Sequence, residues 1–256
     1  MTHDRLLTLQ CLPKTGPTIL FLHGFLGSSD QWSRMVEHYK ESYQILLLEL
    51  PGHGDNSCEK KYTLDDLAQE IHQVLLQYAV DEIHFVGHSM GGYVGCAFAK
   101  AYPSKLLSLT LINSCATNDS TSRVEQRDRS LTLIQKYPQA FTKMAISNLF
   151  TTTERENYKA EIESMKQQAA RISMASISNA LIAMRDRPSF LPVLEDTSIP
   201  LQYIYGSRDE IIPPATIEVE IEKLKAINYE LESGHMSLVT HPNEIIKLQL
   251  VEKTVR

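Results

Sequence analysis

Ser89 lies between glycines two positions away on either side, in Gly87-His88-Ser89-Met90-Gly91. The run before it, Ile83-His84-Phe85-Val86, reads as a strand, and the small residues from Gly91 to Ala99 read as a helix. A serine at so sharp a strand-to-helix turn needs glycine neighbours, since a Cβ there would strike the strand or the helix. The turn holds the hydroxyl above the sheet, and the helix N-terminus behind it favours negative charge. That pattern marks Ser89 as a nucleophile. A serine hydroxyl attacks poorly at neutral pH unless a base takes its proton and a carboxylate orients the base. Tyr203-Ile204-Tyr205-Gly206-Ser207-Arg208-Asp209 supplies the carboxylate at a strand end, and Glu232-Ser233-Gly234-His235 supplies the base at the next. Ser89, Asp209 and His235 therefore stand in the chain order expected for such an elbow, all at carboxyl ends of strands.

Attack on an acyl carbonyl also needs two N–H donors aimed at the developing oxyanion. The backbone N–H of Met90 is one candidate. The other is that of Phe25, in the His23-Gly24-Phe25 loop after the apolar run Thr18–Leu22. His88, Tyr93, Met144 and Met184 are the candidates for a substrate pocket. No metal or organic cofactor is required by this chemistry.

These residues need a scaffold that brings strand ends together, and the rest of the chain describes one. Strand-like runs at Arg5–Cys11, Thr18–Leu22, Gln44–Leu50, Ile83–Val86, Leu107–Ile112, Leu201–Tyr205 and Ile227–Leu231 alternate with helical patterns. The alternation predicts an α/β fold, a mostly parallel sheet with helices on both faces. Thr63-Leu64-Asp65-Asp66 has capping-box spacing, with aspartate in place of the usual glutamate, and the apolar face Leu67, Ile71, Val74, Leu75, Tyr78 follows it. Pro242 stands where a last helix should start.

From about Cys115 to Pro192 strand signals vanish, charges are dense, and apolar residues such as Phe141, Met144, Ala145 and Leu149 fall at helical spacing. The expected division is a core of residues 1–114 and 193–256 with a helical cap inserted at 115–192. The arginines of that segment, among them Arg123, Arg127 and Arg129, read as a solvated helix face. His23 and His53 read as turn residues, and His241 as a surface or capping residue.

The 256 residues carry a net charge of −6, with 43% hydrophobic and 22% charged side chains. No basic stripe points to nucleic acid. The four cysteines form no CxxC pair, so neither zinc nor a disulfide framework is expected. No apolar run reaches the length of a membrane span, and the first residues lack a signal-peptide core, which gives a cytoplasmic expectation.

Leu22-His23-Gly24-Phe25, Leu50-Pro51-Gly52-His53-Gly54, Gly87-His88-Ser89-Met90-Gly91-Gly92, Gly206-Ser207-Arg208-Asp209 and Gly234-His235-Met236 together resemble the α/β-hydrolase-fold superfamily along nearly the whole chain. The run Leu181–Arg187 is similar to that of its small esterases and enol-lactonases. The resemblance implies a serine hydrolase that cleaves small carboxylic esters or thioesters. Two alternatives stay open. One is a C–C hydrolase or lyase like that of the menaquinone pathway, although Tyr93 stands where that family carries an arginine. The other is a ligand-binding protein of the same fold without turnover.

Overall fold

The computed structural model describes residues 6–13, 16–248 and 250. Its strands are β1 (Thr8–Leu12), β2 (Thr18–Leu22), β3 (Gln44–Glu49), β4 (Ile83–His88), β5 (Leu106–Ile112), β6 (Leu201–Gly206) and β7 (Ile227–Leu231). They form one sheet in the order β1-β3-β2-β4-β5-β6-β7, in which β1 runs antiparallel to β3 and every other pair is parallel. The first strand lies slightly later than the Arg5–Cys11 run predicts, and Arg5 falls outside the described residues.

Helices cover both faces, and the pleat decides which side chain meets which. In β2, Leu20 and Leu22 join one core with Leu67, Ile71 and Leu75 of α2 (Leu64–Gln77) and Val94 and Phe98 of α3 (Met90–Ala101). Ile19 and Phe21 point the other way, against Trp32, Met35 and Tyr39 around α1 (Ser33–Tyr39). Phe21 and Trp32 bring their ring centroids to 4.8 Å. Each such side chain withdrawn from water contributes about 1.5–3 kcal/mol. The centre of the sheet is therefore the best-anchored part of the molecule, and β4 lies there.

The capping box of α2 forms as its sequence predicts: the Asp66 N–H donates to Thr63 Oγ1 at 3.1 Å, and the Thr63 N–H donates to Asp66 Oδ2 at 2.8 Å. The long connection from β5 to β6 carries helices joined by loops, with no strand among the described residues. It holds α4 (Thr121–Lys136), α5 (Pro138–Ser147), α6 (Thr152–Asn157), α7 (Lys159–Ala169), α8 (Met174–Arg185) and α9 (Leu191–Glu195). The chain then closes with α10 (Pro214–Leu224) between β6 and β7, and α11 (Ser237–Thr240) and α12 (Pro242–Lys247) after β7. Pro242 is the first residue of α12, where its missing N–H leaves no gap.

Candidate functional site

The turn between β4 and α3 is as tight as its glycines imply. Ser89 has φ 51° and ψ −116°, a conformation that costs a non-glycine residue about 1–3 kcal/mol. A Cβ on Gly87 would lie 2.5 Å from the backbone of Gly91, and one on Gly91 would lie 2.2 Å from the Leu22 carbonyl. Hydrogen bonds lock the strained residue in place. The Ser89 N–H donates to the Ile112 carbonyl at 3.0 Å, while its own carbonyl accepts from the Gly92 N–H at 2.9 Å and the Ser114 hydroxyl at 2.8 Å.

Two later strand ends converge on that serine. His235 Nε2 lies 2.9 Å from Ser89 Oγ, and His235 Nδ1 lies 2.8 Å from Asp209 Oδ2. With Nδ1–H donating to the carboxylate, Nε2 is left to accept the serine proton. Asp209 is turned inward by the chain that follows it: the N–H groups of Ile211 and Ile212 donate to Oδ1 at 2.8 and 3.0 Å. Burial alone would raise the Asp209 carboxyl. Attraction to His235 and the hydrogen bonds from His235, Ile212 and Asn113 outweigh that and hold it below the usual carboxylate range.

Asn113, at the end of β5, is a member of this network that the motifs do not reveal. Its Nδ2 donates to Asp209 Oδ2 at 3.1 Å and to the Gly234 carbonyl at 3.2 Å, and its Oδ1 accepts from the Ser237 hydroxyl. It sits at φ 45°, in the left-handed region that asparagine tolerates better than most residues. The only signal for it in sequence is a polar residue closing an apolar strand.

His88, a candidate for the substrate pocket, is buried behind the histidine of the site instead. Its Nε2–H donates to the His235 carbonyl at 3.0 Å, and burial pushes its pKa down to about 3, so it stays neutral. The loop after β2 also touches the site, because a Cβ on Gly24 would lie 3.0 Å from Ser89 Cβ and 2.9 Å from His88 Nδ1. Phe25 follows directly. Met90, as the first residue of α3, has an N–H that no helical carbonyl can accept. Beneath this loop His23 Nδ1 is 2.8 Å from the Gly24 carbonyl, and its Nε2 is 2.9 Å from Glu49 Oε2. Burial pushes His53 down to about 3, and its Nδ1–H donates to the Pro51 carbonyl at 2.9 Å.

The other pocket candidates do not join the hydrogen-bonded group. Tyr93 is buried one turn into α3, with the Arg187 guanidinium 3.8 Å from its ring centroid. Met184 is buried on α8, where its sulfur accepts from Arg127 Nη1 at 3.5 Å. Met144 is 51% exposed on α5. The helical periodicity that suggested an inward face there holds for Phe141 but not for Met144.

The arginines correct a second expectation. Arg129 is exposed beside Glu125, as a solvated face requires, but Arg127 is only 7% exposed and paired with Asp119. A buried aspartate just ahead of α4 supplies the counter-charge that lets the guanidinium turn inward. Hydropathy by itself cannot report such a partner. Among the described residues no cluster of three or more His, Cys, Asp or Glu side chains is placed to hold a metal ion.

The helical segment reaches into the site as well. Glu154 of α6 accepts the Gly234 N–H on Oε1 at 2.9 Å, and the His235 N–H donates to the Leu149 carbonyl at 3.0 Å. Neither residue stands out in the sequence, except that Thr151-Thr152-Thr153-Glu154 has the spacing of a capping box, which does form.

Comparison with known proteins agrees with this architecture. The family model of the alpha/beta hydrolase fold matches residues 17–156, more than half of the chain. The chain is 26% identical to the monoacylglycerol lipase ABHD6 of Bos taurus, over 92% of this chain and 75% of that protein. It is 24% identical to the pimeloyl-[acyl-carrier protein] methyl ester esterase of Aeromonas hydrophila, over 91% and 94% of the two. Among solved structures, a thermophilic esterase from Thermogutta terrifontis superposes with a TM-score of 0.86 at 23% identity, covering 94% of this chain and 90% of the other. The enol-lactonase of Burkholderia xenovorans LB400 does so with 0.86 at 18%, covering 94% of each. The chain belongs to the alpha/beta hydrolase fold family.

Proposed function

We propose that the protein hydrolyses small carboxylic esters or thioesters through an acyl-enzyme on Ser89. The observation that carries this reading is the unbroken chain of hydrogen bonds from Asp209 through His235 to Ser89 Oγ. His235 takes the proton as Ser89 attacks the acyl carbonyl, and returns it to the departing alcohol or thiol. Asp209 stabilises the imidazolium that forms between those steps, aided by a carboxyl that stays ionised well into acid. The N–H groups of Phe25 and Met90 receive the oxyanion, each worth roughly 3–4 kcal/mol in a site of this kind. Water, activated by His235 in turn, then releases the acid.

In this reading residues 115–192 form a cap over a core made of 1–114 and 193–256, and the cap sets the acyl group accepted. Support for esters as the class comes from the relatives named above as esterases and a lipase. The test is hydrolysis of p-nitrophenyl and acyl-thioester substrates of graded chain length beside Ser89→Ala. Loss of turnover by on the order of 10⁴-fold or more in the variant is expected. Unchanged turnover in the variant overturns the reading.

A further inference from the structure

A cavity of about 510 Å³ opens between the starts of α4 and α10, and none of Ser89, Asp209 or His235 lines it. Its walls include Ser120, Ser122 and Arg123 at the start of α4, and Pro213 and Thr216 at the start of α10. The start of α4 brings Ser120 and Ser122 to this space, while Pro213 and Pro214 leave the start of α10 without N–H donors at those two positions. Tyr93, Thr117 and Arg187 line the same space.

The charges around it do not balance locally. Asp119 is shared by Arg127 and by Arg187, whose Nη1 donates to Oδ1 at 2.8 Å. The Arg123 guanidinium is half-buried, and among the described residues its only hydrogen-bond partner is the neutral side chain of Gln126, at 3.2 Å. Three guanidinium groups thus answer to one buried carboxylate. Glu220, also buried, turns its oxygens to the N–H groups of Ala116 and Thr117 and the Tyr203 hydroxyl. Glu210 lies on the cavity wall but is exposed. Burial first, and then the nearness of Arg127, lower the Arg123 pKa, with Asp119 pulling the other way.

Arg187 adds an observation of its own. It is 5% exposed, both terminal nitrogens are engaged, and yet its Nε–H is buried with no partner. Its Cζ lies 3.8 Å from the Tyr93 ring centroid. A buried polar donor left unpaired costs about 1–3 kcal/mol, and an anion in the cavity relieves the crowding of like charge around it.

We propose that this cavity is a binding site for a small anion carrying a carboxylate or phosphate group, held by Arg123 and Arg187. The site is independent of the hydrolase reading and stands or falls separately from it.

The test is thermal unfolding of the full chain in succinate, in inorganic phosphate and in sodium chloride at matched ionic strength. At an anion concentration about tenfold above its Kd, a rise of roughly 3–5 °C over chloride is expected in one or both anions. Which anion acts tells carboxylate from phosphate. Arg123→Gln should abolish the rise and Arg129→Gln should keep it. Glu210→Gln, which removes a wall carboxylate, should strengthen binding severalfold and serves if the Arg123 variant fails to fold. Equal midpoints in all three salts, a full rise in Arg123→Gln, or weaker binding in Glu210→Gln overturns the proposal.

Discussion

Glu154 and Gly234 lie 80 residues apart in the chain, yet the Gly234 N–H donates to the Glu154 carboxylate at 2.9 Å. The other Glu154 oxygen accepts the Thr151 N–H at 2.8 Å and so caps α6. One buried carboxylate therefore caps the start of α6, in the long β5–β6 connection, and anchors the residue before His235. The loop that carries the proposed base is held by the helices above it as well as by its own strand.

Glu154→Ala should leave two N–H groups without acceptors and free the His235 loop. A loss of about 1–3 kcal/mol in urea unfolding is expected, together with a lower kcat at little-changed KM on a p-nitrophenyl ester. A variant with the native midpoint and native kcat would show the latch to be idle.

Asn113→Asp tests the support beneath Asp209. Aspartate tolerates the φ of 45° at this position, so the backbone has little cause to shift. It replaces a donor to Asp209 with a second carboxylate, and like charges at that range cannot both ionise freely. A fall in kcat/KM on the order of tenfold or more is expected, with Asn113→Gly falling less. Equal losses in the two variants would point to packing instead of charge.

The buried histidines predict acid sensitivity. Burial holds His53 and His88 at about 3 and His84 at about 4, against an ordinary value of 6.5. Between those values the unfolded chain binds protons that the folded chain refuses, so stability falls as pH falls below about 6.5. The limiting slope is about 1.4 kcal/mol per pH unit for each histidine. Urea midpoints measured from pH 7.5 to pH 5 should drop, and a flat profile over that range would contradict the burial argument.

Much of this was legible in the residues, for identifiable reasons. Gly87, Gly91 and the alternation around them announced the elbow, because no other residue fits where a Cβ would meet backbone at 2.2–2.5 Å. That Asp209 and His235 end beside Ser89 was legible because strand ends are positions that sequence can locate. Asn113 and Glu154 could not, since each matters through a partner on a distant segment. The pocket was the least legible part. Periodicity separates an inward helix face from an outward one only coarsely, so Met144 and Arg127 each ended on the side opposite to that expected.

Covalent labelling tests most directly whether Ser89 is an activated nucleophile. The protein is treated with a fluorophosphonate, and intact mass and peptide mapping locate the adduct. One adduct is expected, on Ser89, absent in Ser89→Ala and strongly slowed in His235→Ala. No adduct on a folded protein, or an adduct that persists in Ser89→Ala, would contradict that role.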